Sequence, residues 1–200
     1  MTFSEIIKMA LAHLEYGTDD DSVAQFNERF MIYANDAVRI IAEDLKMSAT
    51  ITNKQLSNNV LTIDRDELHD IYGMDITKIE EVYVMKGNCK VLLPFVQGDS
   101  YEDWKVFGCE PDETVQVRFR YLPVYVTDGD AEPLIPAPFH PIIYLYIVHC
   151  HHNTRSTSTD YDRTKWLQTF TQQRRRLMKQ AYGALNTYQI RNKPWDTGEM

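Results

Sequence analysis

One stretch, Pro133 to about Tyr182, restricts the possible folds of this chain more than any other. It opens as a proline-rich segment, Glu132-Pro133-Leu134-Ile135-Pro136-Ala137-Pro138-Phe139-His140, and then becomes densely apolar. Phe139, Ile142, Ile143, Tyr146, Ile147 and Cys150 recur at the i, i+3, i+4, i+7 spacing of one helical face. Tyr144, Leu145 and Val148 fill the other side, so the spacing predicts a helix apolar nearly all round, which belongs in a core. Pro136 and Pro138 fall at or before its first turn, where a missing N–H costs little. A Ser/Thr-rich run, residues 153–159, breaks the helix. Asp160 is the expected cap of a second helix, with Leu167, Phe170, Leu177 and Ala181 on one face and Trp166 beside them. Gly183 is placed to cap its far end. Helices joined by so short a loop pack antiparallel.

The N-terminal residues predict a matching pair. Thr2 and Glu5 have capping-box spacing ahead of Ile6, Ile7, Ala10, Leu11 and Leu14, and Gly17 is placed to end that helix in a left-handed conformation. Asp19, Asp20 and Asp21 suit the N-terminus of the next helix, where carboxylates favour the dipole, and Ser22 with Gln25 forms a second capping box. Val23, Phe26, Phe30, Tyr33, Ala37 and Ile40 then alternate in steps of three and four, predicting a long amphipathic helix ending near Leu45. Beyond Lys46 the residues become β-branched in short runs. Strands are expected over 47–52, 59–63, 79–86, 89–93, 104–107 and 114–121, with a helical turn over 64–72 ended by Gly73. The clearest is Thr114–Tyr121, where Val115, Val117, Phe119 and Tyr121 alternate with Gln116, Arg118 and Arg120. The expected fold is α+β. Helical hairpins over 1–45 and 128–182 enclose an inserted antiparallel β-subdomain over 46–127, and 183–200 forms a flexible, extended tail.

Composition narrows the function. No window is apolar enough to span a membrane, the N-terminus has no secretory-signal pattern, and Cys89, Cys109 and Cys150 are too few and odd in number for a disulfide framework. Residues 1–150 hold 12 Lys/Arg against 25 Asp/Glu, whereas residues 151–200 hold nine against four. An acidic body with a basic C-terminal portion suits contact with an acidic partner, or a basic helix face simply left in solvent. Arg174, Arg175, Arg176 and Lys179 supply four of those nine cations. Consecutive helical positions spread over about 200° and are not expected to form one flat patch.

Chemistry is poorly represented. His149, Cys150, His151 and His152, with His140 upstream, form the most metal-like group, but no second ligand motif completes a site, and Cys150 is in register with the core face. Asp64, Asp66 and Glu67 read as solvated carboxylates. There is no phosphate-cradling glycine loop, nucleophile elbow or kinase motif. No metal, cofactor or catalytic residue is expected, and the chain is not expected to be an enzyme.

The whole order resembles the head–tail adaptor (connector) proteins of tailed bacteriophages, and is similar in layout to the tail accessory and tubular tail adaptor proteins of short-tailed phages. The likeness rests on Pro133, Pro136, Pro138, Phe139 and His140 before the apolar helix, then Tyr144, Ile147, His151, Asp160 and Trp166 across the hairpin. Sequence-level support is confined to about residues 128–182. The resemblance implies a virion protein, made in the host cytoplasm, that forms a ring, commonly of twelve copies, beneath the portal. It would dock a tail or nozzle protein and extend a channel through which DNA passes without sequence-specific binding. On this resemblance Tyr188, Ile190, Arg191 and Trp195 are candidate portal anchors, beside the basic run Arg174, Arg175, Arg176 and Lys179. A C-terminal segment with few apolar anchors suits folding on a partner. The competing expectation is a nucleic-acid-binding regulator using the basic helix.

Overall fold

A computed structural model describes residues 1–98, 102–110 and 113–191, with 53, 67, 71 and 182–191 described by backbone alone. The chain divides into two compact units, residues 1–41 with 126–200, and residues 42–125. It is a mixed α and β protein, in which all strand pairs are antiparallel among the described residues.

The first unit is helical. Helix α1 (Phe3–His13) starts on the expected capping box: the Glu5 N–H donates to the Thr2 hydroxyl, and the Thr2 N–H donates to the Glu5 carboxylate. Two further N-terminal donors are met by the chain that follows the strands. The Phe3 N–H donates to the Ala131 carbonyl at 3.0 Å and the Ser4 N–H to the Gly129 carbonyl at 2.8 Å. A side chain at Gly129 would meet the Ser4 hydroxyl, which would have to turn aside. Phe3, Ile6, Ile7, Ala10 and Leu11 are buried.

Helix α1 ends earlier than Gly17. Glu15 adopts the left-handed conformation (φ 59°), while the Tyr16 N–H reaches back to Leu11 and the Glu15 N–H to Ala12. Gly17 instead makes room for the next cap, because a side chain there would strike the Asp19 carboxylate. That carboxylate accepts from the Ser22 N–H at 2.9 Å, which makes Asp19, rather than Ser22, the cap of helix α2 (Asp20–Leu45). On α2, Phe30, Met31, Ala34, Ala37, Val38 and Ile41 are buried.

The second unit holds strands β1 (Ser48–Gln55) and β2 (Val60–Thr62), helix α3 (Arg65–Tyr72), and strands β3 (Met74–Lys86), β4 (Cys89–Leu93), β5 (Phe95–Gln97), β6 (Asp103–Val106) and β7 (Thr114–Pro123). One sheet has the order β1-β7-β3-β4 and the other β2-β6-β5. Inward residues of both, including Val82, Val117, Phe119, Leu61, Trp104 and Val106, share one core. The β3–β4 hairpin turns on Gly87 and Asn88, with Lys86 paired to Cys89 and Gly87 at φ 63°. Gly73 ends α3 at φ 64°, as its position after the helical run suggests. Strand β3 starts five residues before the expected 79 because Met74–Lys78 pair with the end of β7 across a bulge. Strand β5 follows Pro94 directly; three residues are too few to show alternation.

The apolar helix of the first unit is divided. A 3₁₀ segment (Ala137–Ile142) contains Pro141 and precedes helix α4 (Ile143–Thr154). Proline has no N–H for an internal α-helical bond, so the regular helix begins only after it. Ile143, Leu145, Ile147 and Val148 are buried, as the all-round apolar pattern requires. Helix α5 (Asp160–Arg191) is capped by Thr159, not Asp160: the Asp162 N–H donates to the Thr159 hydroxyl at 3.1 Å and the Thr159 N–H to the Asp162 carboxylate at 3.3 Å. The helix passes through Gly183 rather than stopping there. An internal glycine costs about 1 kcal/mol without forcing a break.

Candidate functional site

The buried face of α5 differs from the expected one. Phe170 and Met178 are buried, Leu177 and Ala181 are half-buried, and Leu167 is 41 % exposed. Phe170 packs on Tyr146 of α4 with ring centres 5.2 Å apart, and Trp166 meets His13 of α1 edge-on at 4.7 Å. This rotation about the helix axis sorts the basic run. Arg174 turns toward the packed side, its guanidinium 5.4 Å from the Phe170 ring. Arg175, Arg176 and Lys179 are exposed and line one open depression with Gln172 and Gln180. With Lys165 and Gln168, also exposed, they lie within about 100° of the helix circumference. The expectation that the run forms no common face therefore holds for Arg174 alone. Skipping it, the i, i+3, i+4, i+7 set 172, 175, 176, 179 makes a stripe. No described carboxylate pairs with Arg175, Arg176 or Lys179.

The other expected partner-binding residues are less informative. Tyr188, Ile190 and Arg191 belong to the backbone of α5, and their side chains lie outside the described residues, as does Trp195 entirely.

The histidines do not converge. His149 donates from Nδ1 to the Arg163 carbonyl at 2.8 Å, and its Nε2 accepts from the Asn153 amide at 3.0 Å. The Nδ1 of His152 is 3.0 Å from the Ser158 hydroxyl. His140 is buried and donates from Nε2 to the Ile135 carbonyl at 2.9 Å, tying the proline-rich segment to itself. Among the described residues no three His, Cys, Asp or Glu side chains are grouped to hold a metal.

His151 is the unexpected one. It is 3 % exposed and lies edge-on to Tyr16, Phe26 and Phe30, with ring centres 5.6, 6.0 and 5.6 Å away. Arg155 donates to the Tyr16 hydroxyl at 2.7 Å, and that hydroxyl is 3.1 Å from His151 Nε2. The other ring nitrogen, Nδ1, is buried with no hydrogen-bond partner among the described residues, so nothing there would support a second ring proton. Burial first, and then the Arg155 cation, pull the imidazole down to a pKa of about 4. The network joins the α1–α2 turn to the end of α4. Sequence spacing placed His151 beside two other histidines but carried no sign of Tyr16, which is 135 residues away.

Asn35 is a second buried polar group that helical periodicity did not reveal. Its amide donates to the carbonyls of Met31 at 2.7 Å and Val126 at 2.8 Å, and accepts from the Val126 N–H at 2.9 Å. This two-way clasp holds the returning chain against α2.

Two of the thiols, Cys109 and Cys150, are not primed as nucleophiles. Burial pushes Cys150 up to about 11 and raises Cys109 as well. In the second unit a groove of about 410 Å³ runs between β1 and α3, lined by Ile51, Lys54, Ile63, Leu68, Tyr72 and Met74 among others. No described helix is long and apolar enough to cross a membrane.

Comparison with known proteins yields little at sequence level. No family model matches the chain, and no curated protein matches it. Among solved structures it is similar to a chain in the neck of an empty GTA particle, computed with C6 symmetry. The identity is 8 %, the alignment covers 82 % of this chain and 87 % of that one, and the TM-score is 0.28.

Proposed function

We propose that this protein is a structural head–tail adaptor of a tailed phage, assembling as a ring beneath the portal, docking the tail and continuing the DNA channel. The observation that carries the reading is helix α5. Over residues 160–181, where its side chains are described, it runs about 33 Å and buries the apolar side chains of Phe170 and Met178, while Arg175, Arg176 and Lys179 are exposed. An exposed basic stripe along such a helix is the kind of surface expected of a part that works by docking. The helix pairs that precede and follow the β unit in sequence agree with the layout on which the resemblance rests. Of the candidate partner-binding residues, Tyr188, Ile190, Arg191 and Trp195 are proposed to engage the portal, and repetition around a ring multiplies individually weak contacts.

The test is sedimentation velocity of the protein alone and mixed with the portal ring of the same phage, followed by electron microscopy of any complex. A portal-dependent complex with near-equal subunit numbers supports the adaptor; no association at low and moderate salt refutes it. The same exposed stripe favours one other reading, a nucleic-acid-binding regulator. That reading requires DNA affinity falling steeply with salt, against the repulsion of a chain of net charge −8.

A further inference from the structure

Charge is distributed along this chain with unusual polarity. Residues 1–162 carry 13 Lys/Arg against 27 Asp/Glu, whereas residues 163–195 carry eight against none. Within the helical unit, one end presents the α1–α2 turn, where Glu15, Asp20 and Asp21 are exposed, followed by Glu28 on α2. The Tyr16–His151 and Tyr16–Arg155 contacts hold this turn beside the end of α4, near where α5 begins. From Asp160, α5 then travels about 24 Å before reaching Arg176. The acidic turn and the basic stripe are therefore separated along the same unit and face solvent independently. Glu15, Asp21 and Glu28 have no described cationic partner, just as Arg175, Arg176 and Lys179 have no described anionic one.

We propose that the α5 stripe of one copy (Arg175, Arg176, Lys179) docks on the acidic α1–α2 turn of a second copy (Glu15, Asp21, Glu28). This inference rests on the adaptor reading and deepens it, by naming the surfaces through which neighbouring subunits meet. With one stripe–turn pair per junction the contact is heterologous: it propagates head to tail and closes into a ring when the rotation permits. A second copy is favoured over nucleic acid because the chain itself supplies the complementary anionic surface, while its overall negative charge opposes an approaching phosphate backbone. Each exposed ion pair contributes little, and repetition around a closed ring gives the contact its strength.

The experiment is a charge swap on the full chain. The basic-side variant is Arg175→Glu, Arg176→Glu, Lys179→Glu; the acidic-side variant is Glu15→Lys, Asp21→Lys, Glu28→Lys. All six positions are exposed, and Asp19, which caps α2, is left intact. Circular dichroism verifies that each variant is folded. Sedimentation velocity at high protein concentration, from about 25 to about 300 mM salt, then reads self-association. The wild type should associate, and weaken as salt rises. Each variant alone should lose at least about tenfold in association constant, the loss expected from three surface pairs. Mixing the two variants should restore association, since the acidified α5 of one now meets the basic turn of the other. A wild type that stays monomeric throughout, a variant that associates like wild type, or a mixture that fails to recover overturns the proposal. Portal binding by the wild type without recovery in the mixture would reject this interface and leave the adaptor reading standing. Loss of portal binding in the wild type rejects the adaptor reading itself.

Discussion

Acidification should destabilise the helical unit through His151. Its ring is neutral in the fold, because burial and then the Arg155 cation oppose a positive charge, and Nδ1 is buried with no hydrogen-bond partner among the described residues. The folded pKa is about 4, against 6.5 for the free side chain. A depressed folded pKa means the unfolded chain takes up the proton first. The stabilising contribution is thus intact above about pH 6.5, falls as the pH drops toward 4, and levels off below that. Between pH 7.5 and pH 5.0 the linkage relation gives a loss of about 2 kcal/mol at most, from this one residue. Denaturant unfolding followed by far-UV circular dichroism and Trp fluorescence, at several pH values, measures it. His151→Leu removes the titration while keeping an apolar side chain among Phe26, Phe30 and Tyr16. His152, lowered by burial, and His69, raised by its hydrogen bond to Asp70, titrate in both proteins and cancel in the comparison. The variant should lose about 2 kcal/mol less than wild type over this interval. Identical pH profiles for the two proteins would refute the assignment of a buried neutral imidazole.

Three other outcomes follow from the same packing. Asn35→Ala should cost about 2–3 kcal/mol in denaturant unfolding, because it takes away the partner of the Val126 N–H and carbonyl; a cost below that of an ordinary surface substitution would disprove the clasp. Thr159→Ala should destabilise by about 1 kcal/mol and fray the start of α5, seen as faster amide exchange over Tyr161–Arg163, whereas Asp160→Ala should leave that exchange nearly unchanged. With a thiol reagent at mildly alkaline pH, exposed Cys89 should react well before Cys150, whose thiol is pushed up to about 11; equal rates would contradict the burial of Cys150.

Element types were legible along the chain, because periodicity reports which side of an element meets a core. The Thr2–Glu5 cap, the alternation of Val115, Val117, Phe119 and Tyr121, the all-round apolar α4 and the Gly73 stop are local features, decided within one or two turns of chain. Where two local signals competed, spacing alone chose wrongly. Ser22 and Asp160 each had a reasonable capping pattern, but Asp19 and Thr159 took the role. Gly183 resembled a terminator, yet a glycine ends a helix only if the backbone leaves the helical region there. Short strands such as Phe95–Gln97 carry too few residues to show a period.

Tertiary structure decided everything that depends on partners distant in sequence. His151 became a neutral buried group because Tyr16 and Arg155 meet at its edge. Asn35 became a clasp because residue 126 returns alongside α2. The basic run became a usable stripe because Phe170 and Met178, rather than Leu167, turned inward and carried Arg174 with them. A helix with few apolar residues has a weakly determined rotation about its axis, and only contact with α4 settles which cations are left facing water.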